Sequence, residues 1–220
     1  MLAIGGGAAA WAASSFFSQG SQPAEALPDT TIGYVSIDLD PSGAQKIAAL
    51  KLARKFPALK DKVGLNADDD IRKTIFDEIA GGSGCKLDFD KDVAPWLGSR
   101  AAVAAVGTDK PFPVVVAQAN DADKVKDGVA KLEGCGQKAA GSDHIGWALD
   151  GDWIVFAETT DQARQVVAEA DKGSLADDPD FKKWTDKAGD SGIMTAYAAP
   201  AAGQVLAREI GKPAAGRGHL

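Results

Sequence analysis

The chain has 220 residues, 45% of them hydrophobic and 25% charged, a composition that supports a packed globular core. Its formal charge of −7 argues against a nucleic-acid partner, because that binding needs clustered Lys and Arg to displace counterions from phosphates.

From Met1 to Ala24 there is no charged side chain, and residues 2–18 are apolar or small. About 20 such residues cross a bilayer as a helix. Residues 1–20 are therefore expected to form a transmembrane helix or uncleaved signal anchor. Residues 21–29 follow as a linker, introduced by the Ser-Gln-Gly-Ser-Gln-Pro stretch at 18–23. A cleaved signal peptide is the competing reading. Ala24-Glu25-Ala26 is an acceptable small-x-small cleavage site, but the basic start of such a peptide is missing. A segment embedded in a soluble protein is the third reading; either of the first two puts a folded domain, expected over 30–210, outside the cytoplasm. The last ten residues, 211–220, carry no core-forming side chains and are expected to be a disordered tail.

Within the domain, Thr31–Leu39 alternates as a half-buried strand, with Val35, Ile37 and Leu39 on its apolar face and Tyr34, Ser36 and Asp38 opposite. Asp40-Pro41-Ser42 opens a helix carrying Ile47, Leu50 and Leu52, broken at Phe56-Pro57. Asp68 caps a second helix with a stripe of Ile71, Ile75, Phe76 and Ile79. Leu87–Gly107 turns sharply at Pro95-Trp96-Leu97-Gly98 and runs into the apolar strand Ala101–Val106. Trp96 is the expected plug at its entrance, its ring buried and its N–H on a carbonyl. Phe112–Ala119 is a second buried strand, antiparallel to the first through the turn Thr108–Pro111.

Asn120-Asp121 caps a helix with Val125, Val129 and Leu132 at helical spacing. Asp150-Gly151-Asp152 joins strands at 144–149 and 153–157 as a tight hairpin. Thr159 and Gln162 form a capping box for a helix burying Ala163, Val166, Val167 and Ala170. Phe181 and Trp184 share a face of a short helix over 174–187, a strand follows at 192–198, and a last helix spans 201–210. Hairpins mixed with helices predict an α+β fold: an antiparallel or mixed sheet with helices packed on one face. Strict β-α-β alternation, which a doubly wound nucleotide fold needs, is missing. The hairpin-then-helix units at 101–132 and 144–171 echo each other as an internal repeat.

Cys85 and Cys135 follow predicted helices in Gly-rich loops. Outside the cytoplasm, an even cysteine count suggests a disulfide, which would contribute ~4 kcal/mol in the chain-entropy model. Two unrelated buried thiols are the alternative. The search for chemistry yields no catalytic, cofactor-binding or metal-ligating residue: no nucleophile elbow, no zinc-helix motif and no phosphate-cradling loop are present. Asp88, Asp90 and Asp92 have the spacing of a calcium loop, but Val93 stands where Gly is needed and Ser99 where the bidentate Glu is needed. Trp96, Trp147, Trp153 and Trp184 are read as core rather than as a ligand groove.

Three stretches carry a resemblance: Tyr34–Gly43, Asp92–Ala105 and Gly192–Tyr197. They resemble domain-of-unknown-function family 3352, actinobacterial membrane-anchored envelope proteins, of which this chain is similar to a short or truncated member. Its most specific block is Asp92, Pro95, Trp96, Leu97, Gly98 and Arg100, a structural motif. The resemblance implies a location at the cell membrane, single-pass, and supplies no catalytic residues. The expected function is a membrane-tethered extracytoplasmic domain, non-catalytic, binding or structural at the cell envelope. Its partners would be the membrane, through the N-terminal helix, and an envelope protein, lipid or cell-wall ligand. The alternative is an envelope enzyme with a carboxylate site built from Asp38, Asp40, Asp88, Asp90 and Asp92.

Overall fold

The computed structural model describes residues 20–41, 70–83, 87–140, 145–189 and 192–210, without the side chains of 78–83, 135–140 and 209–210. The expected membrane helix at 1–20 (but for residue 20), the helix expected from residue 42 onward, the Asp68 cap, Cys85 and the tail at 211–220 lie outside the described residues.

The described residues form six strands: β1 (Thr31–Asp38), β2 (Leu97–Val106), β3 (Phe112–Ala119), β4 (Gly146–Asp150), β5 (Trp153–Ala157) and β6 (Met194–Ala198). They make one sheet in the order β4-β5-β3-β2-β1-β6, with every neighbouring pair antiparallel. Five helices accompany it: α1 (Ile71–Ser83), α2 (Ala122–Ala140), α3 (Thr160–Ala170), α4 (Pro179–Ala188) and α5 (Pro200–Ile210). The α+β class and both predicted hairpins are present. Gly151, at φ +52°, takes the left-handed turn position between β4 and β5. The capping box of α3 forms as read, with Gln162 N–H on Thr159 Oγ1 and Thr159 N–H on Gln162 Oε1.

Helices cover both faces of the sheet, not one. On the first face, α3, α4 and two short 3₁₀ turns (Pro23–Ala26 and Leu175–Asp177) enclose a core that includes Leu27, Tyr34, Val106, Val116, Val155, Val166 and Phe181. On the second, α1, α2 and the turn before β2 close over Ala119, Ile154, Phe156 and Trp147. The reason lies in β5. All of its side chains are apolar, so Trp153 and Val155 fill one core while Ile154 fills the other. The two hairpin-then-helix units thus place their helices on opposite faces, α2 on the second and α3 on the first.

Three local expectations change. The buried face of β1 is Tyr34 and Ser36, while Val35 is 45% exposed. Tyr34 meets Phe181 edge-on at 5.6 Å, and Phe181 meets Tyr197 likewise at 5.1 Å. Through this aromatic trio Tyr34 ties β1 into the first core, so that its side of the strand is the buried one. Trp184, expected inside, is 49% exposed and lies under the ammonium groups of Lys183 and Lys187 at 5.1 and 4.9 Å. Cys135, expected in a loop, sits within α2, which runs through Gly134 and Gly136 to Ala140. The expected Cys85–Cys135 bridge falls outside the described residues, among which no disulfide is present.

Candidate functional site

The stretch before β2 is a joint between four parts of the molecule. Phe89–Val93 makes a π-helical turn, with Ala94 N–H donating to Phe89 O at 2.8 Å. Asp88 Oδ1 accepts from Lys91 N–H (3.1 Å), and Asp92 Oδ2 accepts from Asp88 N–H (3.0 Å), so the turn is closed by its own carboxylates. Phe89 and Val93 are thereby buried, and Trp96, 4% exposed, drops between the sheet and α2. Its Nε1 donates to the Asp92 carbonyl at 2.7 Å, the role expected for it. Pro95 is exposed at the bend.

The carbonyl of Leu97 accepts from Arg72 Nη1 (2.9 Å) and Asn120 Nδ2 (3.1 Å), tying α1 and the approach to α2 onto β2. Gly98 lies flat on β3: a Cβ there would stand 2.7 Å from Gln118 Cβ. Gln118 Oε1 in turn accepts from Ser99 N–H at 3.2 Å. Arg100 faces Asp38 across the β1–β2 ladder, with Nε 3.9 Å from Asp38 Oδ2, and its Nη1 donates to the Ser21 carbonyl.

That last bond leads to a segment the sequence did not flag. Residues 21–29, expected as a linker, are built into the first core. Gln22, Pro23 and Pro28 are buried, and Ala24, Ala26 and Leu27 are fully so. Gln22 N–H donates to Glu25 Oε1 (2.9 Å), while Leu27 O and Gly173 O accept from Leu175 N–H and Asp29 N–H. The signal was the apolar spacing of Pro23-Ala-Glu-Ala-Leu-Pro28, masked by the Ser, Gln and Gly just before it.

The carboxylates proposed for acid–base chemistry do not form a site. Asp88 pairs with Lys91 (3.3 Å), Asp90 with Lys73 (2.7 Å) and Asp92 with Lys131 (2.7 Å). Asp38 faces Arg100 and accepts from Asp40 N–H at 3.0 Å. Hydrogen bonds from Lys91 and Lys131 hold the Asp88 and Asp92 carboxyls below the ordinary range, the opposite of what a general acid needs. Among the described residues no three His, Cys, Asp or Glu side chains converge as metal ligands.

The four described tryptophans share no groove. Trp153 belongs to the first core, Trp96 and Trp147 to the second, and Trp184 to the surface. Asp150, in the β4–β5 turn, is raised by burial and then by Asp171. Tyr34 is the more perturbed group: burial pushes its phenol up to about 12, with Ser36 and the Ala24 backbone pulling weakly the other way. Its hydroxyl makes no hydrogen bond of good geometry.

One surface stands apart from these satisfied interiors. A single register row crosses all six strands on the second face: Ala196, Val35, Val103, Val115, Phe156 and Trp147. The last two pack against the second core, but Val35, Val103 and Val115 are 45%, 57% and 41% exposed.

Residues 1–215 match the family described as "Protein of unknown function (DUF3352)". No curated protein and no solved structure matches the chain.

Proposed function

We propose that this chain, which belongs to the DUF3352 family, is a membrane-tethered domain outside the cytoplasm with a non-catalytic binding or structural role at the cell envelope. The observation that carries this reading is the burial of residues 22–28. A signal peptidase cutting after Ala26 would strip Ala24 and Ala26 from the first core and remove the buried Gln22 and Pro23 beside them, and loss of buried apolar groups costs about 0.8 kcal/mol per methylene equivalent. Folding therefore favours keeping the N-terminal segment attached. A retained apolar stretch of the length of residues 2–18 suits a bilayer. Arg100, holding Ser21, would then fix the domain close to its tether instead of leaving it on a flexible linker.

No described helix is long and apolar enough to cross a membrane, so the tether rests on residues 1–19 and is tested directly. The full chain is expressed in bacteria with a C-terminal tag and followed by fractionation, alkaline wash and intact mass. The expected result is an unshortened chain in the washed membrane. In intact cells, an impermeant amine reagent should label the exposed lysines Lys172 and Lys187. A soluble chain beginning at Leu27, or lysines protected until the cells are lysed, would overturn the reading.

A further inference from the structure

The last two turns of α4 carry an exposed indole between two cations. Trp184 is 49% exposed, and the ammonium groups of Lys183 and Lys187 lie over its ring at 5.1 and 4.9 Å. Neither lysine has a carboxylate within ion-pair distance among the described residues, whereas Lys182 on the flank pairs with Asp177 at 2.8 Å. Asp186 is turned about 100° round the helix from Lys187, and Asp180 lies a turn earlier than Trp184. The patch thus keeps two positive charges in a chain whose formal charge is −7.

Its place in the fold says what it meets. α4 leads from one end of β1 to the other. Ahead of its start, Leu175 N–H donates to the Leu27 carbonyl and Ser174 bridges to Pro28, just before β1 begins. Beyond its end, the Ile193 carbonyl accepts from Asp38 N–H at 2.7 Å, where β1 finishes. Gln22 and Pro23 line a small cleft with Arg100, Gly192 and Ile193, and Arg100 Nη1 donates to Ser21 O at the same end. The uncharged stretch at 2–18 stops two residues before Gly20, a span of at most about 7 Å. On the tethered reading, the bilayer lies at this end, the one toward which Lys183, Trp184 and Lys187 are placed.

We propose that the Lys183–Trp184–Lys187 face of α4 docks on anionic lipid headgroups beside the tether. The proposal rests on the tethered reading and adds an orientation to it. Indole rings settle at the headgroup level of a membrane, with the apolar body inward and the N–H in the wet layer. The flanking lysines lay their stems along the ring and reach phosphate oxygens with their ammonium groups. The acidic remainder of the chain is repelled by the same lipids and turns away from them. One indole and two ammonium groups make a shallow, reversible contact, so Lys187 still meets reagents in the surrounding water.

The test reconstitutes the full chain into vesicles with a benzophenone amino acid at one of two exposed positions. Ala188 lies one turn beyond Trp184, and Lys172 lies at the opposite end, beside the Gly173 carbonyl that holds Asp29 N–H. Vesicles are irradiated and floated, and intact mass reads the lipid adducts. In phosphatidylcholine with about 30% phosphatidylglycerol, position 188 should give about fivefold more adduct than position 172. That excess should disappear in pure phosphatidylcholine and in about 500 mM salt, which screens the headgroup charge. It should also disappear in Lys183→Gln/Lys187→Gln and shrink in Trp184→Ser, with circular dichroism unchanged in both. Equal adducts at the two positions would overturn the docking, as would an excess at 188 indifferent to lipid charge or to the two glutamines. A chain that does not float overturns the tether and the docking together, whereas one that floats without the excess overturns the docking alone.

Discussion

Two identical substitutions in one helix should move stability in opposite directions. Gly128 and Gly134 both lie in α2, and by helix propensity alone Gly→Ala stabilises each by about 1 kcal/mol. Space separates them. A Cβ on Gly128 would stand 1.9 Å from Trp96 Nε1 and 2.3 Å from its Cδ1, whereas one on Gly134 meets nothing within 4 Å. Ordinary carbon contacts lie at about 3.5–4.0 Å, so in Gly128→Ala the indole or the helix retreats by about 1.5 Å.

Trp96 cannot retreat freely, because it is 4% exposed and its N–H is held by the Asp92 carbonyl at 2.7 Å. Overpacking costs about 1–3 kcal/mol and the weakened hydrogen bond about 1 kcal/mol more. Set against the propensity gain, Gly128→Ala should destabilise by about 2 kcal/mol, and Gly134→Ala should stabilise by about 0.5–1 kcal/mol. At about 2–4 °C per kcal/mol for a chain of this size, thermal melts of the full chain should fall by about 4–8 °C and rise by about 2 °C, respectively. Equal stabilisation of both variants would refute the wedge geometry and leave propensity as the whole account.

Arg100→Ala removes the donor to Ser21 and the partner of Asp38. We expect a loss of about 2–3 kcal/mol, with hydrogen-exchange protection falling at least tenfold for residues 22–27 but not for β3, and uniform loosening would argue against a local latch. Tyr34→Phe deletes a buried hydroxyl that makes no good hydrogen bond and should be neutral or stabilising by about 1 kcal/mol; a loss above that would reveal a partner for the hydroxyl. Because burial raises the Tyr34 phenol from 10.0 to about 12, its contribution is intact below pH 10 and is lost as pH rises toward 12. The loss is about 2–3 kcal/mol, visible as an alkaline fall in stability that Tyr34→Phe abolishes. On the acid side, the hydrogen bond from Arg72 holds the Asp70 carboxyl below its ordinary range, so its contribution is present above about pH 4 and fades as pH drops through the lowered value. Melts from pH 6 to 2 should show that slope in the wild type and a shallower one in Asp70→Asn.

What the sequence alone determined is local in its physics. The β4–β5 hairpin follows from Asp-Gly between two apolar runs, the α3 start from Thr159 and Gln162, and the Trp96 plug from a large ring beside a sharp bend. Each needs only neighbours within a few residues, so its signal survives without knowledge of the fold. Tertiary structure decided which face was the inside. Along β1 the alternation was legible, but its polarity was reversed, because the Tyr34–Phe181–Tyr197 cluster joins residues far apart in the chain. The same holds for residues 22–28, which read as a linker until β2, β3 and α3 supply the walls that bury Ala24, Ala26 and Leu27. Asp88, Asp90 and Asp92 looked like a shared site from their spacing, yet Lys73, Lys91 and Lys131 take one each, and two of those lysines come from other helices. Periodicity tells a chain that it has two sides; only packing against distant segments, through the apolar area they bury together, selects the side that leaves water.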